Sequence, residues 1–281
     1  MLQSTKQFLT SNAEPSSGGL LGKLGDLETR LAQDRQELRA AQKVRYQVFC
    51  EELSARKNLL SRLQKRELDA HDEKCDHLLV LDRRNDGINN IVGTQRFFVR
   101  RADETGKDFY SQQEFDVEAL VGLHPEKTFM ELGRSCILPN YRGKRTMELM
   151  WQGTWAYALQ NKVDVMLGCA SFHTCDAEEV SDMLGFLSGY TGDDEVWQVG
   201  AVADDKIVLK EHGHENPNDR RIFKKLPPLI KGYLRLGAIF STEAVRDHEF
   251  GTIDVLVVLP IEHISKRYLA YYGEDASKHR A

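Results

Sequence analysis

Phe129-Met-Glu-Leu-Gly-Arg-Ser-Cys-Ile-Leu-Pro-Asn-Tyr-Arg-Gly-Lys-Arg-Thr-Met-Glu-Leu-Met-Trp151 is the stretch on which the fold turns. The apolar run Phe129 to Leu138 reads as a buried strand, and Pro139-Asn140 ends it. Tyr141-Arg-Gly-Lys-Arg145 follows as a short basic loop. A helix then starts near Arg145, with Met147, Met150, Trp151, Thr154, Trp155 and Ala158 at helical spacing. A strand, a basic glycine-containing turn and a helix N-terminus together favour an anion, because free N–H groups and the helix dipole converge on it. Glu131 and Arg134 stand inside the strand, where charged residues are reluctantly buried.

Working outward, His77–Asp82 and Ile91–Val99 read as a hairpin joined across Arg84-Asn-Asp-Gly87. Arg96 falls mid-strand and calls for a carboxylate partner, with Glu67, Asp69, Asp72 and Glu131 as candidates. The first three lie in a charged, irregular segment, residues 53–75, that reads as a solvated loop or as a cluster receiving a cation. The mid-loop Gly of a Ca²⁺-binding EF-hand is missing there. Asp34-Arg-Gln-Glu37 resembles a capping box and opens a helix to about Glu52, whose apolar face holds Leu38, Ala41, Val44, Tyr46, Val48 and Phe49, with Arg45 among them. Leu27–Ala32 reads as an edge strand, and residues 1–26 as a mobile tail.

Residues 101–128 form a polar connection with a short helix near Val117–Leu123. Val163–Ser171 is a second buried strand, a helix follows over Ala177–Leu187, and residues 190–218 are poorly patterned. Arg220–Gly237 mixes basic and large apolar residues, Ile253–Leu259 is a last strand, and residues after about 273 are a tail. Strands and helices alternate without a strict βαβ rhythm, which predicts an α/β domain over 27–272. Its mixed central sheet is flanked by helices, with a C-terminal extension from about 219.

A 281-residue chain with 41% hydrophobic and 29% charged residues has soluble globular composition. The net charge of −5 argues against a general nucleic-acid partner, so an anion must meet a local basic patch. No apolar run reaches the roughly 18 residues of a transmembrane helix, and the N-terminus lacks a signal-peptide core. Five cysteines without CxxC spacing suit a reducing cytoplasm. The histidines form no HExxH or similar cluster, so no metal is expected.

The ordered blocks Gln42-Lys-Val-Arg45, Asp69-Ala-His-Asp72, Val92-Gly-Thr-Gln-Arg96, Glu131-Leu-Gly-Arg-Ser-Cys136, Gly168-Cys-Ala-Ser-Phe172 and Leu226-Pro-Pro-Leu229 resemble the bacterial L-ornithine Nα-acyltransferases over roughly residues 27–272. These enzymes are similar to the acetyltransferase (GNAT) superfamily and to acyl-homoserine-lactone synthases. Arg45, the acids Glu67, Asp69 and Asp72, Arg96 and Glu131 match residues the synthases share. The synthases' tryptophan after the first helix has no counterpart here. The resemblance implies transfer of a 3-hydroxyacyl group from acyl carrier protein to the α-amine of L-ornithine, giving lyso-ornithine lipid. It leaves open a homoserine-lactone synthase, an acyltransferase for another amino acid, or a non-catalytic carrier-binding or membrane-surface protein.

Under that resemblance Glu131, Arg134 and Arg96 are the expected catalytic set, with Glu131 as the base. Glu67, Asp69 and Asp72 would receive the ornithine side-chain ammonium or organise the arginines, and Arg45 or Arg96 would hold the substrate carboxylate. Arg142, Gly143, Lys144 and Arg145 would meet the donor. No tightly bound cofactor is expected, because the carrier protein supplies phosphopantetheine. The loop lacks the glycines of relatives that use coenzyme A, which points to a carrier-bound donor. Cys136 and Cys169 have no histidine at an activating spacing and read as core. The chain is expected in the cytoplasm, meeting the inner-membrane surface through the basic and apolar residues between Arg220 and Arg235.

Overall fold

A computed structural model describes residues 19–56, 59–85, 90–212 and 219–265. The hairpin β1 (Gly22–Leu24) and β2 (Leu27–Leu31) comes first, then helix α1 (Arg35–Arg45), which continues as a π-helix over Tyr46–Glu52. Asp34 caps α1 by accepting from the N–H groups of Gln36 and Glu37. The short helix α2 (Leu59–Gln64) leads to β3 (Asp76–Asp82) and β4 (Ile91–Arg101). Helix α3 (Val117–Gly122) precedes the quoted stretch, which folds as β5 (Thr128–Ile137) and α4 (Lys144–Gln160). After these come β6 (Val165–Phe172), α5 (Ala177–Leu187) and β7 (Lys206–Val208). Helices α6 (Arg220–Lys225) and α7 (Pro228–Leu236) and strands β8 (Ile239–Asp247) and β9 (Thr252–Pro260) complete the chain.

The strands form a single mixed sheet in the order β1-β2-β3-β4-β5-β6-β9-β8-β7. Only the β5–β6 pair is parallel among these neighbours. One face packs Met130, Leu132, Met166, Phe172 and Val257 against the apolar sides of α4, α5, α6 and α7. The opposite face is covered by α1 near β3 and β4, and by the connection from Phe109 to Val121 near β5, β6 and β9.

Two features differ from expectation. Gly22–Leu24 lies inside the predicted tail yet pairs with Leu27–Thr29, so β2 is an inner strand; Leu21, buried in the core, anchors it. The strand predicted at Ile253–Leu259 is β9, and through it the C-terminal extension joins the central sheet, pairing along the whole of β6. Strand β8 is not predicted at all. The predicted tail beyond 273 lies outside the described residues.

Strands β5 and β6 pair only over Phe129–Glu131 and Val165–Leu167, and then part. On the other side of β5, Arg96 pairs with Gly133 but Thr94 with Cys136, so Arg134 and Ser135 together oppose Gln95 in a β-bulge. Arg134 takes a left-handed conformation there, φ 50°, which is costly for a side chain this large. Across the gap Gly168 lets the strands approach: a Cβ on it would stand 2.3 Å from the Leu132 carbonyl oxygen. The bulge thus turns β5 away from β6 at the centre of the sheet, just beyond the point where Gly168 keeps the two strands close.

Candidate active site

The split opens a cleft of about 490 Å³, within the range of small-molecule sites. Val48, Phe49 and Leu53 of the π-helical turn line it, with Met147 of α4 and Leu229 of α7. Its polar lining includes Glu131, Arg134, Arg142, Cys169, Ser171 and Asp254. Of the residues predicted from sequence, Glu131, Arg134 and Arg142 therefore reach the cleft.

Glu131 is buried and does not pair with Arg96 or Arg134. Its carboxylate instead accepts from the N–H groups of Tyr110 (2.7 Å) and Ser111 (2.8 Å) and from the Ser111 hydroxyl (2.6 Å). A carboxylate offers about four acceptor positions, so roughly one stays open for a substrate amine or a water.

The predicted arginines and acids close into a ring of alternating charge. Arg45 forks onto Asp72 at 2.7 and 2.9 Å and also donates to Glu67. Arg96 bridges Asp72 (3.2 Å) and Asp69 (2.8 Å). Arg134 bridges Asp69 (2.7 Å) and Glu67 (3.2 Å), with its guanidinium over the Tyr110 ring at 4.5 Å. Burial alone would raise the Asp69 carboxyl, but Arg134 and Arg96 hold it down at about 2. Arg45 stays charged despite complete burial because Glu67 and Asp72 face it. Removing one member would strand a buried charge, which costs far more than the net worth of the pair.

In the basic loop Arg142 is bound by Glu52 (2.6 Å) and donates to the Ile137 carbonyl (2.9 Å), so it pins the end of β5. Gly143 caps α4 in extended conformation, and Lys144 and Arg145 are exposed. The Cys136 thiol is pushed up to about 12 by burial, and Cys169 rises well above the usual thiol range for the same reason. Neither is a thiolate at neutral pH, as a nucleophile would need.

A second acidic group lies beside Glu131 and is not predicted. Glu114, Cys169 and Asp254 bring one polar atom each within 4.8 Å of one another. Asp254 faces Ser171 across the β6–β9 ladder, and the Cys169 thiol donates to Glu114 at 3.6 Å. Desolvation lifts Glu114 to about 7, helped by Asp254, and lifts Asp254 to about 6. Asp254 carried a sequence signal, a carboxylate inside the apolar run Ile253–Leu259; Glu114, in a polar connection, carried none.

A cleft at parted central strands that joins an apolar lining to buried carboxylates suits a reaction between an apolar chain and a polar acceptor. Accordingly the acetyltransferase (GNAT) domain family matches residues 44–152, and the chain is an acyltransferase of that fold. The L-ornithine N(alpha)-acyltransferase of Agrobacterium fabrum is 47% identical over 95% of this chain and 92% of its own. That of Rhizobium meliloti is 47% identical over 95% and 90%, and that of Brucella abortus 41% over 99% and 98%. The chain belongs to the L-ornithine Nα-acyltransferase family. Among solved structures, the acyl-homoserine-lactone synthase LasI aligns at a TM-score of 0.42 and 15% identity over 88% of this chain and 94% of that one, too distant to bear on function.

Proposed function

We propose that this chain transfers a 3-hydroxyacyl group from acyl carrier protein to the α-amine of L-ornithine, releasing lyso-ornithine lipid. The observation that carries this is the cleft at the β5–β6 split, which joins an apolar lining to buried carboxylates. The names of the relatives supply the acceptor.

A thioester is already activated, so the protein has to align a neutral amine and stabilise the tetrahedral oxyanion. Glu131 takes the proton from the amine, since three fixed donors hold its carboxylate and leave an acceptor position open. The nitrogen attacks the thioester carbon, the C–N bond forms and the C–S bond breaks. The proton passes by way of Glu131 to the leaving phosphopantetheine thiolate. Beyond Glu131, β5 is laddered to β4 alone, so alternate N–H groups face the cleft and are available to the oxyanion.

Arg134 stands at the cleft wall with Nε on Glu67 and Nη2 on Asp69; its remaining guanidinium edge meets the ornithine carboxylate, while Arg45, Arg96 and Asp72 hold the ring in place. Lys144, Arg145 and the N-terminus of α4 receive the donor's phosphate and the acidic carrier. The acylated product is a lipid, so the enzyme works at a membrane surface.

Mass spectrometry of lipids from a heterologous host expressing the chain tests the reaction. Lyso-ornithine lipid is the expected product. A different acyl amino acid, a lactone or no new lipid would refute it.

A further inference from the structure

Ornithine brings two amines and one carboxylate, and the ring of arginines and acids has no charge to spare for the second amine. Its three cations and three carboxylates satisfy one another. The uncompensated acids lie elsewhere. Asp254 is 7% exposed, lines the cleft, and has a buried Oδ1 with no hydrogen bond of ordinary geometry; the hydroxyls of Thr252 and Ser171 stand close to the carboxyl without satisfying that oxygen. Glu114 reaches the same point from behind Cys169. Neither acid has an ion pair among the described residues, and Arg134, the cation nearest in influence, is committed to Glu67 and Asp69. Such a pair is costly to ionise while empty and is relieved by a cation.

We propose that Asp254, on the floor of the cleft between β5 and β6, together with Glu114 behind Cys169, forms the subsite for the side-chain ammonium of a dibasic acceptor amino acid. This rests on the acceptor's α-amine standing at Glu131. Glu131 is opposite Leu167, and Cys169 is two residues further along β6 on the same face. With the ~4.8 Å spacing between strands and about 7 Å along β6, Glu131 and Cys169 are about 8 Å apart on the diagonal, which the two nitrogens of an extended three-methylene amine cover with a hydrogen bond at each end. An ammonium there would donate to the free Asp254 oxygen and to Glu114. The same three side chains have the spacing to hold a metal ion, which the metal content of the purified protein distinguishes from an ammonium site.

Isothermal titration of the full-length protein with ornithine and with norvaline, the same skeleton without the side-chain amine, tests the subsite. The parent should bind ornithine at least about 10-fold more tightly, as for a desolvated charge pair. In Asp254→Asn and Glu114→Gln, each checked for folding by circular dichroism, that preference should collapse while norvaline binding holds. Equal binding of both ligands by the parent, or an unchanged preference in both variants, would overturn the subsite. So would a stoichiometric metal in the purified protein that both substitutions remove. A parent that prefers ornithine yet forms no acylated product would reject the proposed reaction and keep the subsite. A parent that acylates ornithine with an unmoved preference in both variants would do the reverse.

Discussion

Glu131 and Asp254 sit on the same face of the sheet and have opposite surroundings. Three donors hold the Glu131 side chain in place, whereas Asp254 has a buried oxygen without a hydrogen bond of ordinary geometry. Glu131→Gln keeps the shape and removes the basicity, so transfer should fall by about 100-fold or more, the usual scale of general-base loss. Full activity at neutral pH would remove Glu131 from the chemistry. Asp254 makes a prediction about stability. Its pKa is raised, so the native chain holds the proton to higher pH than the unfolded chain does, and native stability declines as pH rises from about 4 through about 6. Asp254→Asn should therefore stabilise the protein increasingly over that window, by up to ~3 kcal/mol between pH 4 and pH 8. Denaturant melts at the two pH values measure this, and an equal effect at both would show that Asp254 is not strained by burial. Asp69, held at about 2, has the opposite sign: its contribution is present above about 4 and lost as pH falls toward 2.

At the scale of elements, β3, β4, β5, β6 and β9 were legible because each is a mainly apolar stretch of strand length between turn or polar segments. Strand β8, Ile239–Asp247, was not, because polar residues interrupt it and its register shifts between Phe240 and Ala244. The basic and apolar stretch Arg220–Gly237 was legible as amphipathic, but the same pattern serves a membrane and a core. Here Ile222, Leu226, Ile230 and Tyr233 are buried, so their apolar surface is committed to the fold. Glu131 and Arg134 were legible as charges inside an apolar strand. The closing of the arginine–acid ring and the approach of Glu114 to Asp254 are tertiary, and no local spacing encodes them. The loop before α4 carries its own prediction. With Arg142 tied to Glu52, Lys144 and Arg145 are the exposed charges left to steer a carrier protein. Lys144→Ala with Arg145→Ala should lower kcat/KM for the acyl carrier protein donor and flatten its decline with ionic strength. Equal salt slopes in parent and variant would place the docking patch elsewhere.

At the scale of the whole molecule, among the described residues no helix is long and apolar enough to cross a membrane. Arg220, Arg221, Lys224, Lys225 and Arg235 remain exposed around the committed apolar side chains of α6 and α7. Among the described residues the two most exposed large apolar side chains lie on α2, Leu59 at 72% and Leu63 at 74%. Membrane contact should therefore be electrostatic first: the protein should co-sediment with anionic vesicles at low salt and be released as salt rises, while neutral vesicles retain little. A protein left in the supernatant with both vesicle types would work away from the bilayer. The central claim is the pairing of donor and acceptor at the β5–β6 cleft. The direct measurement is kcat/KM of the purified protein for ornithine acylation with a 3-hydroxyacyl carrier protein and with the matched coenzyme A thioester, the product followed by mass. Nα-acylated ornithine formed markedly faster from the carrier protein is the predicted result; acylation of ornithine by neither donor, or no preference between them, would contradict it.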